Sequence, residues 1–133
     1  MAIDYGQKRT GIAVTDDLKI IASGLTTVNT NELISFLKSY TTDHQVELIL
    51  VGEPKRMNNE ASEVEKLIKP LIEELHLAFP EISVERVDER FTSKMAFQTM
   101  IDAGISKKKR QNKTLIDEIS ATLILQSYLY SKS

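Results

Sequence analysis

Apolar runs near the start of the chain predict three short strands. Residues 8–14 and 19–28 have the composition of strands, and a polar turn signal separates them. Residues 1–5 add a shorter apolar strand before them. The three segments predict an antiparallel meander, in which Gly6 fits a tight first turn and Gly11 fits a close backbone approach.

The rest of the chain alternates between helical periodicity and short apolar runs. Thr30 is placed to cap the first helix, and Pro70 is expected to kink or divide the second. The predicted helices span residues 31–42, 60–78, 92–103 and 115–130, and the predicted strands span residues 46–51 and 82–87. Three antiparallel strands followed by βαβαβ crossovers predict a mixed five-stranded sheet with helices on both faces. This α/β layout is that of an RNase H-like fold, and we expect one such domain over residues 1–133.

Composition narrows the class of protein. The chain has 133 residues, 41% of them hydrophobic, and no cysteine, which favours one folded domain and excludes disulfides and thiolate metal sites. No run reaches the ~18 apolar residues of a membrane span, and no signal peptide opens the chain. We therefore expect a cytoplasmic protein without a membrane partner.

Positive charge is concentrated in one short segment of a chain whose net charge is -2. Its members are Lys107, Lys108, Lys109, Arg110 and Lys113. A basic segment on an otherwise acidic body predicts a contact with a phosphate backbone. A solvated lysine-rich loop would have the same composition and is the alternative.

Acidic residues stand at the ends of three predicted elements. Asp4 closes the first strand, Asp88 and Glu89 follow the strand at 82–87, and Asp117 lies in the first turn of the last helix. Carboxylates that a fold brings together repel one another unless a cation lies among them. The pattern predicts a divalent metal site, and such sites commonly act on phosphate esters. Oxygen ligands suit Mg²⁺ or Mn²⁺ better than zinc.

The strand-end acids also have simpler explanations. Asp4 can start a turn, and the Asp88-Glu89 pair can form a local ion pair with Arg90. Because side chains alternate along an extended strand, Asp88 and Glu89 face opposite sides of the sheet. Only one of them can easily reach a shared site while the chain stays extended.

Asp117 has a helix-capping alternative of its own. Thr114 and Asp117 match the capping box, in which Thr114 would be the N-cap. Asp117 nevertheless shares a helical stripe with small and apolar residues: Ser120, Ala121, Ile124 and Tyr128. A stripe of this kind packs inward, so the sequence predicts that Asp117 points at the sheet edge. Capping and metal binding are then compatible.

Three further titratable residues carry weaker signals. Glu53 follows the strand at 46–51, where it is either an additional carboxylate near Asp4 or a loop residue. His44 and His76 stand near predicted helix C-termini, where a positive charge favours the helix dipole. We expect that local role for both histidines, and the chain shows no Ser/His/Asp pattern or Walker-type loop.

Four motifs in compatible order resemble the YqgF/RuvX family, the RuvC-like pre-16S rRNA nucleases that are also named Holliday junction resolvases. They are residues 3–14 (IDYGQKRTGIAV), 51–54 (VGEP), 88–93 (DERFTS), and 116–121 (IDEISA) with 123–128 (LILQSY) behind them. The resemblance covers nearly the whole chain. It implies an RNase H-like fold, metal-dependent cleavage of a nucleic acid backbone, and a role in maturing the 5′ end of 16S rRNA.

The family's acidic residues fall on Asp4, on the Asp88-Glu89 motif and on Asp117. Two features depart from the family pattern. The first strand usually begins a few residues earlier, which leaves open an internal or misannotated start at Met1. Glu53 stands where the family commonly has an apolar or aromatic residue.

We therefore expect hydrolysis of phosphodiester bonds with one or two Mg²⁺ or Mn²⁺ ions, held by Asp4, Asp117 and one of Asp88 and Glu89. Contacts with the nucleic acid backbone are expected from Lys8, Arg9, Arg90, Lys107, Lys108, Lys109, Arg110 and Lys113. Pre-rRNA, alone or in a ribosomal particle, is the favoured substrate, and a DNA junction is the alternative. A dimer would suit junction cutting, which needs paired sites, and a monomer would suit RNA trimming.

Two other classes of function stay open at the level of sequence. A nucleic-acid-binding module without catalysis would use the same basic segment beside an inactive acidic site. A nucleotide phosphohydrolase of the actin/sugar-kinase type shares a similar first hairpin. Those proteins close two lobes around ATP, whereas this chain supplies only one.

Overall fold

The computed structural model describes residues 1–16, 18, 21–53, 65–88 and 113–132. Its strands are β1 (Ala2–Asp4), β2 (Arg9–Thr15), β3 (Ala22–Asn29), β4 (Leu48–Glu53) and β5 (Ser83–Asp88). Its α-helices are α1 (Leu33–Asp43), α2 (Glu65–Ala78) and α3 (Lys113–Lys132), and a 3-10 turn at Thr30–Glu32 leads into α1. The predicted helix at 92–103 and most of the basic segment lie outside the described residues.

The strands form one mixed sheet in the order β3-β2-β1-β4-β5. The pairs β1–β2 and β2–β3 are antiparallel, whereas β1–β4 and β4–β5 are parallel. This arrangement confirms the predicted α/β fold, with an antiparallel meander followed by parallel crossovers. Within the described ranges, no helix has the length and apolar content needed to cross a membrane.

The fourth strand and the second helix each differ from the sequence prediction. The fourth strand spans 48–53 and not 46–51, because its ladder with β5 runs from the Leu48–Ser83 pair to the Glu53–Asp88 pair. Pairing with β5, and not apolar content, therefore sets where β4 ends. Pro70 lies inside α2, which continues to Ala78, so the proline does not divide the helix.

The two faces of the sheet bury two separate apolar cores. Because side chains alternate along β1, Ile3 faces α1 and α2 while Ala2 faces α3. The larger core holds Ile3, Ile12, Leu33, Leu37, Ile49, Val51, Ile68, Leu71 and Leu75. The core under α3 holds Ala2, Ala13, Leu50, Ala121, Ile124 and Leu125. Its many alanines allow α3 to lie close to the central strands.

The backbone of α3 lies very close to the sheet at Gly11 of β2. A Cβ atom built on Gly11 would overlap the backbone carbonyl of Asp117 and crowd the amide nitrogen of Glu118. Both are main-chain atoms, which cannot rotate away as a side chain can. Gly11 is therefore required by the packing of α3, which confirms the close backbone approach predicted for it.

We predict that Gly11→Ala lowers the free energy of unfolding by about 1–3 kcal/mol or more, because the added methyl group must displace α3 from β2. Equilibrium unfolding in urea, followed by circular dichroism, measures this change. Gly24→Ala is the matched control, since a Cβ on Gly24 would meet only the side chain of Glu118, which can move. Equal stability of the two variants would contradict the proposed contact.

Candidate active site

Parallel pairing brings three acidic residues to the same edge of the sheet. Asp4, Glu53 and Asp88 are the last residues of β1, β4 and β5, and these three strands are parallel. The carboxyl edge of a parallel sheet is where open α/β folds bind their ligands. We refer to it below as the carboxyl edge.

Asp117 reaches this edge through α3. Asp4 is the register partner of Gly11 in the antiparallel β1–β2 ladder, and Gly11 packs against the backbone of Asp117. Asp4 and Asp117 therefore flank the same glycine, although they are 113 positions apart in the sequence. Asp4 also shares the sheet face of Ala2, which is the face that α3 covers. Both carboxylates are half-buried.

Asp88 lies on the other face of the sheet. Arg86, two residues earlier on the same side of β5, binds Glu65 of α2. The strand register thus places Asp88 on the face of the sheet that packs against α2, and Asp4 on the face that packs against α3. Glu89, the other member of the predicted pair, lies outside the described residues.

Asp117 forms an ion pair with Arg9. The Arg9 Nε atom donates a hydrogen bond to Asp117 Oδ2 at 3.0 Å, and the two side chains are 33% and 23% exposed. Arg9 begins β2, so this contact joins the first hairpin to the last helix. Arg9, which the sequence predicts to bind nucleic acid, therefore contacts Asp117, which the sequence predicts to bind the metal ion.

The capping role predicted for Thr114 is wrong. α3 begins at Lys113, so Thr114 lies within the helix and Asp117 is its fifth residue. An N-cap residue must stand outside the helical segment, which excludes Thr114. The carboxylate of Asp117 is paired instead with a side chain from the sheet, Arg9.

Thr30 fixes the turn that follows Asp4. Its hydroxyl donates to the carbonyl oxygen of Gly6 at 2.6 Å and lies 2.9 Å from the hydroxyl of Thr10. Its backbone amide donates to the carbonyl oxygen of Lys8 at 3.0 Å. The helix cap predicted for Thr30 is therefore wrong, because its side chain spans 24 positions to the hairpin turn instead.

An ion pair with a buried carboxylate, that of Glu65, holds the end of β4. The Arg86 guanidinium donates to both carboxylate oxygens of Glu65, at 3.0 and 2.6 Å. It also donates to the carbonyl oxygens of Val51 at 3.2 Å and Gly52 at 3.0 Å. The sequence offered no signal for this pair, because Glu65 and Arg86 come from separate elements and look like ordinary surface residues.

The histidines lie away from the carboxyl edge or on the outer surface. His44 stacks on Tyr40 with ring centroids 4.2 Å apart, and its Nδ1 lies 3.3 Å from the Tyr40 carbonyl oxygen. It lines a groove of about 620 Å³ that also includes Leu48 and Tyr128, at the opposite end of the strands from Asp4. His76 is exposed in the last turn of α2.

Asp4 and Asp117 carry carboxylate oxygens, which are the type of ligand that a hard divalent cation binds. Within the described ranges, no three acidic or histidine side chains form a group that could hold a metal ion. Two carboxylates fit an ion such as Mg²⁺, which binds through one or two carboxylates and keeps several other ligands. The donor set of the described part of the carboxyl edge is thus compatible with a hard cation.

The strand order and the acidic carboxyl edge define an RNase H-like domain. The model of the RuvX family, described as "Holliday junction resolvase", matches residues 1–131. A protein of Flavobacterium johnsoniae named "Putative pre-16S rRNA nuclease" is 62% identical over 132 residues, which cover 99% of this chain and 96% of that protein. A relative of the same name from Bacteroides thetaiotaomicron is 61% identical over 132 residues, with the same coverage of 99% and 96%. The chain belongs to the RuvX family, which confirms the resemblance seen in its motifs.

We predict that Arg86→Met lowers the free energy of unfolding by about 3–5 kcal/mol, because it leaves the Glu65 carboxylate buried without its partner. The double variant Arg86→Met/Glu65→Met should lose less than Arg86→Met alone. Urea unfolding of both proteins checks this, with the exposed neighbour Glu85→Met as a control that changes stability by at most about 0.5 kcal/mol. A double variant less stable than Arg86→Met would disprove the account of the pair.

Proposed function

We propose that this protein is a divalent-metal-dependent nuclease that acts at the 5′ end of precursor 16S rRNA. The observation that carries the proposal is the convergence of Asp4 and Asp117 on Gly11, at the carboxyl edge of an RNase H-like sheet. The relatives' shared name supports the substrate. A substrate of this kind favours action in the cytoplasm, on free pre-rRNA or on a ribosomal particle.

Asp4 and Asp117 are the proposed metal ligands from the described part of the chain. Asp4 is paired with Gly11 of β2, and the two residues before it, Ala2 and Ile3, are also paired with β4, so its backbone is anchored in the sheet. When Mg²⁺ or Mn²⁺ is bound, the ion supplies activation of water and neutralisation of charge at the phosphodiester. Asp4 would bind the ion from the rigid strand, and Asp117 would bind it from α3.

Glu89 is the proposed third ligand, in preference to Asp88. Asp88 faces the side of α2, whereas Asp4 faces the side of α3. The sequence predicts that Glu89 faces the side opposite to Asp88, and that prediction is the basis for choosing Glu89. Asp88 then supports the edge through the ladder that pairs it with Glu53 and is not a ligand.

Basic residues near the acidic site are proposed to hold the nucleic acid backbone. Lys8 is exposed on the turn that follows Asp4, and Arg9 lies beside Asp117. Because they are positively charged, we propose the same contacts with the backbone for Arg90 and for the basic segment, Lys107, Lys108, Lys109, Arg110 and Lys113. Contacts of this type release counterions and make binding sensitive to salt.

Cleavage of four-way DNA junctions is the second candidate function. It is favoured by the family description, "Holliday junction resolvase". Symmetric junction cutting needs two active sites related by a two-fold axis, and therefore a dimer on the substrate. RNA trimming needs only one site, which a monomer supplies.

We predict that Asp4→Asn reduces metal-dependent cleavage by about 10²-fold or more, because loss of a metal ligand costs at least as much as loss of its supporting partners. Purified protein is incubated with a labelled 16S precursor fragment and with a four-way DNA junction, in Mn²⁺ and in EDTA. The substrate that is cut decides between the two candidate functions. Undiminished cleavage by Asp4→Asn would disprove the proposed site.

The choice between Asp88 and Glu89 gives a matched comparison in the same assay. Glu89→Gln should lose cleavage as Asp4→Asn does, whereas Asp88→Asn should lose less than about tenfold, since it faces the other side of the sheet. The two substitutions remove the same charge from adjacent positions, so electrostatics at long range cancel between them. The reverse order of activities would show that Asp88 is the ligand.

A further inference from the structure

The Arg9 guanidinium lies against one of the two described carboxylates of the proposed metal site. Its Nε atom is 3.0 Å from Asp117 Oδ2. This hydrogen bond uses a carboxylate oxygen and neutralises a negative charge, and a divalent cation needs both. Arg9 and a metal ion therefore compete for Asp117.

The Arg9–Asp117 pair is half-buried and is in partial contact with solvent. The two side chains are 33% and 23% exposed, and an ion pair in contact with solvent is weakly held. The backbone at Arg9 is anchored, because Arg9 pairs with Asn29 of β3 and Thr30 holds the preceding turn. The exchange therefore requires movement of the Arg9 side chain and not of its backbone.

A nucleic acid phosphate is a better partner for Arg9 than a carboxylate shared with a cation. The planar guanidinium matches phosphate oxygens with two parallel hydrogen bonds. Arg9 stands next to exposed Lys8, so a phosphate at this turn would meet two positive charges. Transfer of Arg9 to that phosphate would remove this competitor of the metal ion from Asp117.

We propose that Arg9 couples metal binding to nucleic acid binding by exchanging between Asp117 and a backbone phosphate. The inference rests on the proposed function, since it takes Asp117 as a metal ligand. In the absence of nucleic acid, Arg9 lowers the affinity of the site for the metal ion. Bound nucleic acid removes this competition, and by linkage the metal ion strengthens nucleic acid binding by the same factor.

The first test measures Mn²⁺ affinity without nucleic acid, from the electron paramagnetic resonance signal of the free ion. Arg9→Gln should bind Mn²⁺ about two- to fivefold more tightly than the unchanged protein, as expected for removal of an exposed competing pair. Lys8→Gln is the charge-matched control and should give a smaller increase. A merely structural role for Arg9 predicts the opposite sign, because loss of support for Asp117 would weaken binding.

A double-mutant cycle shows whether the effect passes through Asp117. In the Asp117→Asn background, Arg9→Gln should no longer increase Mn²⁺ affinity, because the carboxylate for which it competes is gone. Circular dichroism and urea unfolding establish that each variant is folded. An equal gain with Asn at position 117 would overturn the inference.

The second test repeats the Mn²⁺ titration with a short single-stranded RNA, shown by gel to remain intact. The RNA should raise Mn²⁺ affinity by a larger factor in the unchanged protein than in Arg9→Gln. Equal factors would overturn the coupling while leaving the metal site in place. If Mn²⁺ binding does not depend on Asp4 under any condition, the proposed function fails, and the inference fails with it.

Discussion

The contact between Gly11 and the backbone of Asp117 is the constraint on which the acidic site depends. It allows α3 to lie against the central strands, and it places Asp117 beside the register partner of Asp4. Any larger residue at position 11 would push the helix, and its carboxylate, away from the sheet. The alanines at positions 2, 13 and 121 extend the same close packing along the helix. Helix–sheet distance and site geometry are thus set by the same small residues.

Two polar networks hold the carboxyl edge on either side of this contact. Thr30 binds the turn that follows Asp4, and Arg86 binds Glu65 together with the end of β4. Both networks join segments that are distant in sequence, and each fixes the backbone at the carboxyl edge. Sites that must position ligands closely are best supported by rigid elements with satisfied hydrogen bonds. In contrast to these two networks, the half-buried Arg9–Asp117 pair is the contact that we propose to exchange.

Much of the fold follows from local sequence patterns, whereas the site depends on register. The meander, the crossovers and the position of Asp4 at the end of β1 could be predicted from periodicity and turn residues. The sequence predicts Asp117 in the first turn of the last helix, but it is the fifth residue of α3. The sequence predicts that Asp88 and Glu89 face opposite sides of the sheet, but not which side each one faces. The β4–β5 ladder was needed to assign Asp88 to the side of α2. The roles of Thr30, Arg86 and Glu65 could not be predicted, because their partners come from other elements. Thr114 matched a capping pattern, but the observed start of α3 excludes that role.

The central claim is that the carboxyl edge holds a divalent cation between β1 and α3. Anomalous diffraction from crystals grown with Mn²⁺ tests it most directly, because the signal locates the ion without reference to activity. The predicted result is a peak about 2.1 Å from carboxylate oxygens of both Asp4 and Asp117, with Arg9 displaced from Asp117. A fully occupied Mn²⁺ site elsewhere, with no peak at Asp4, would contradict the claim.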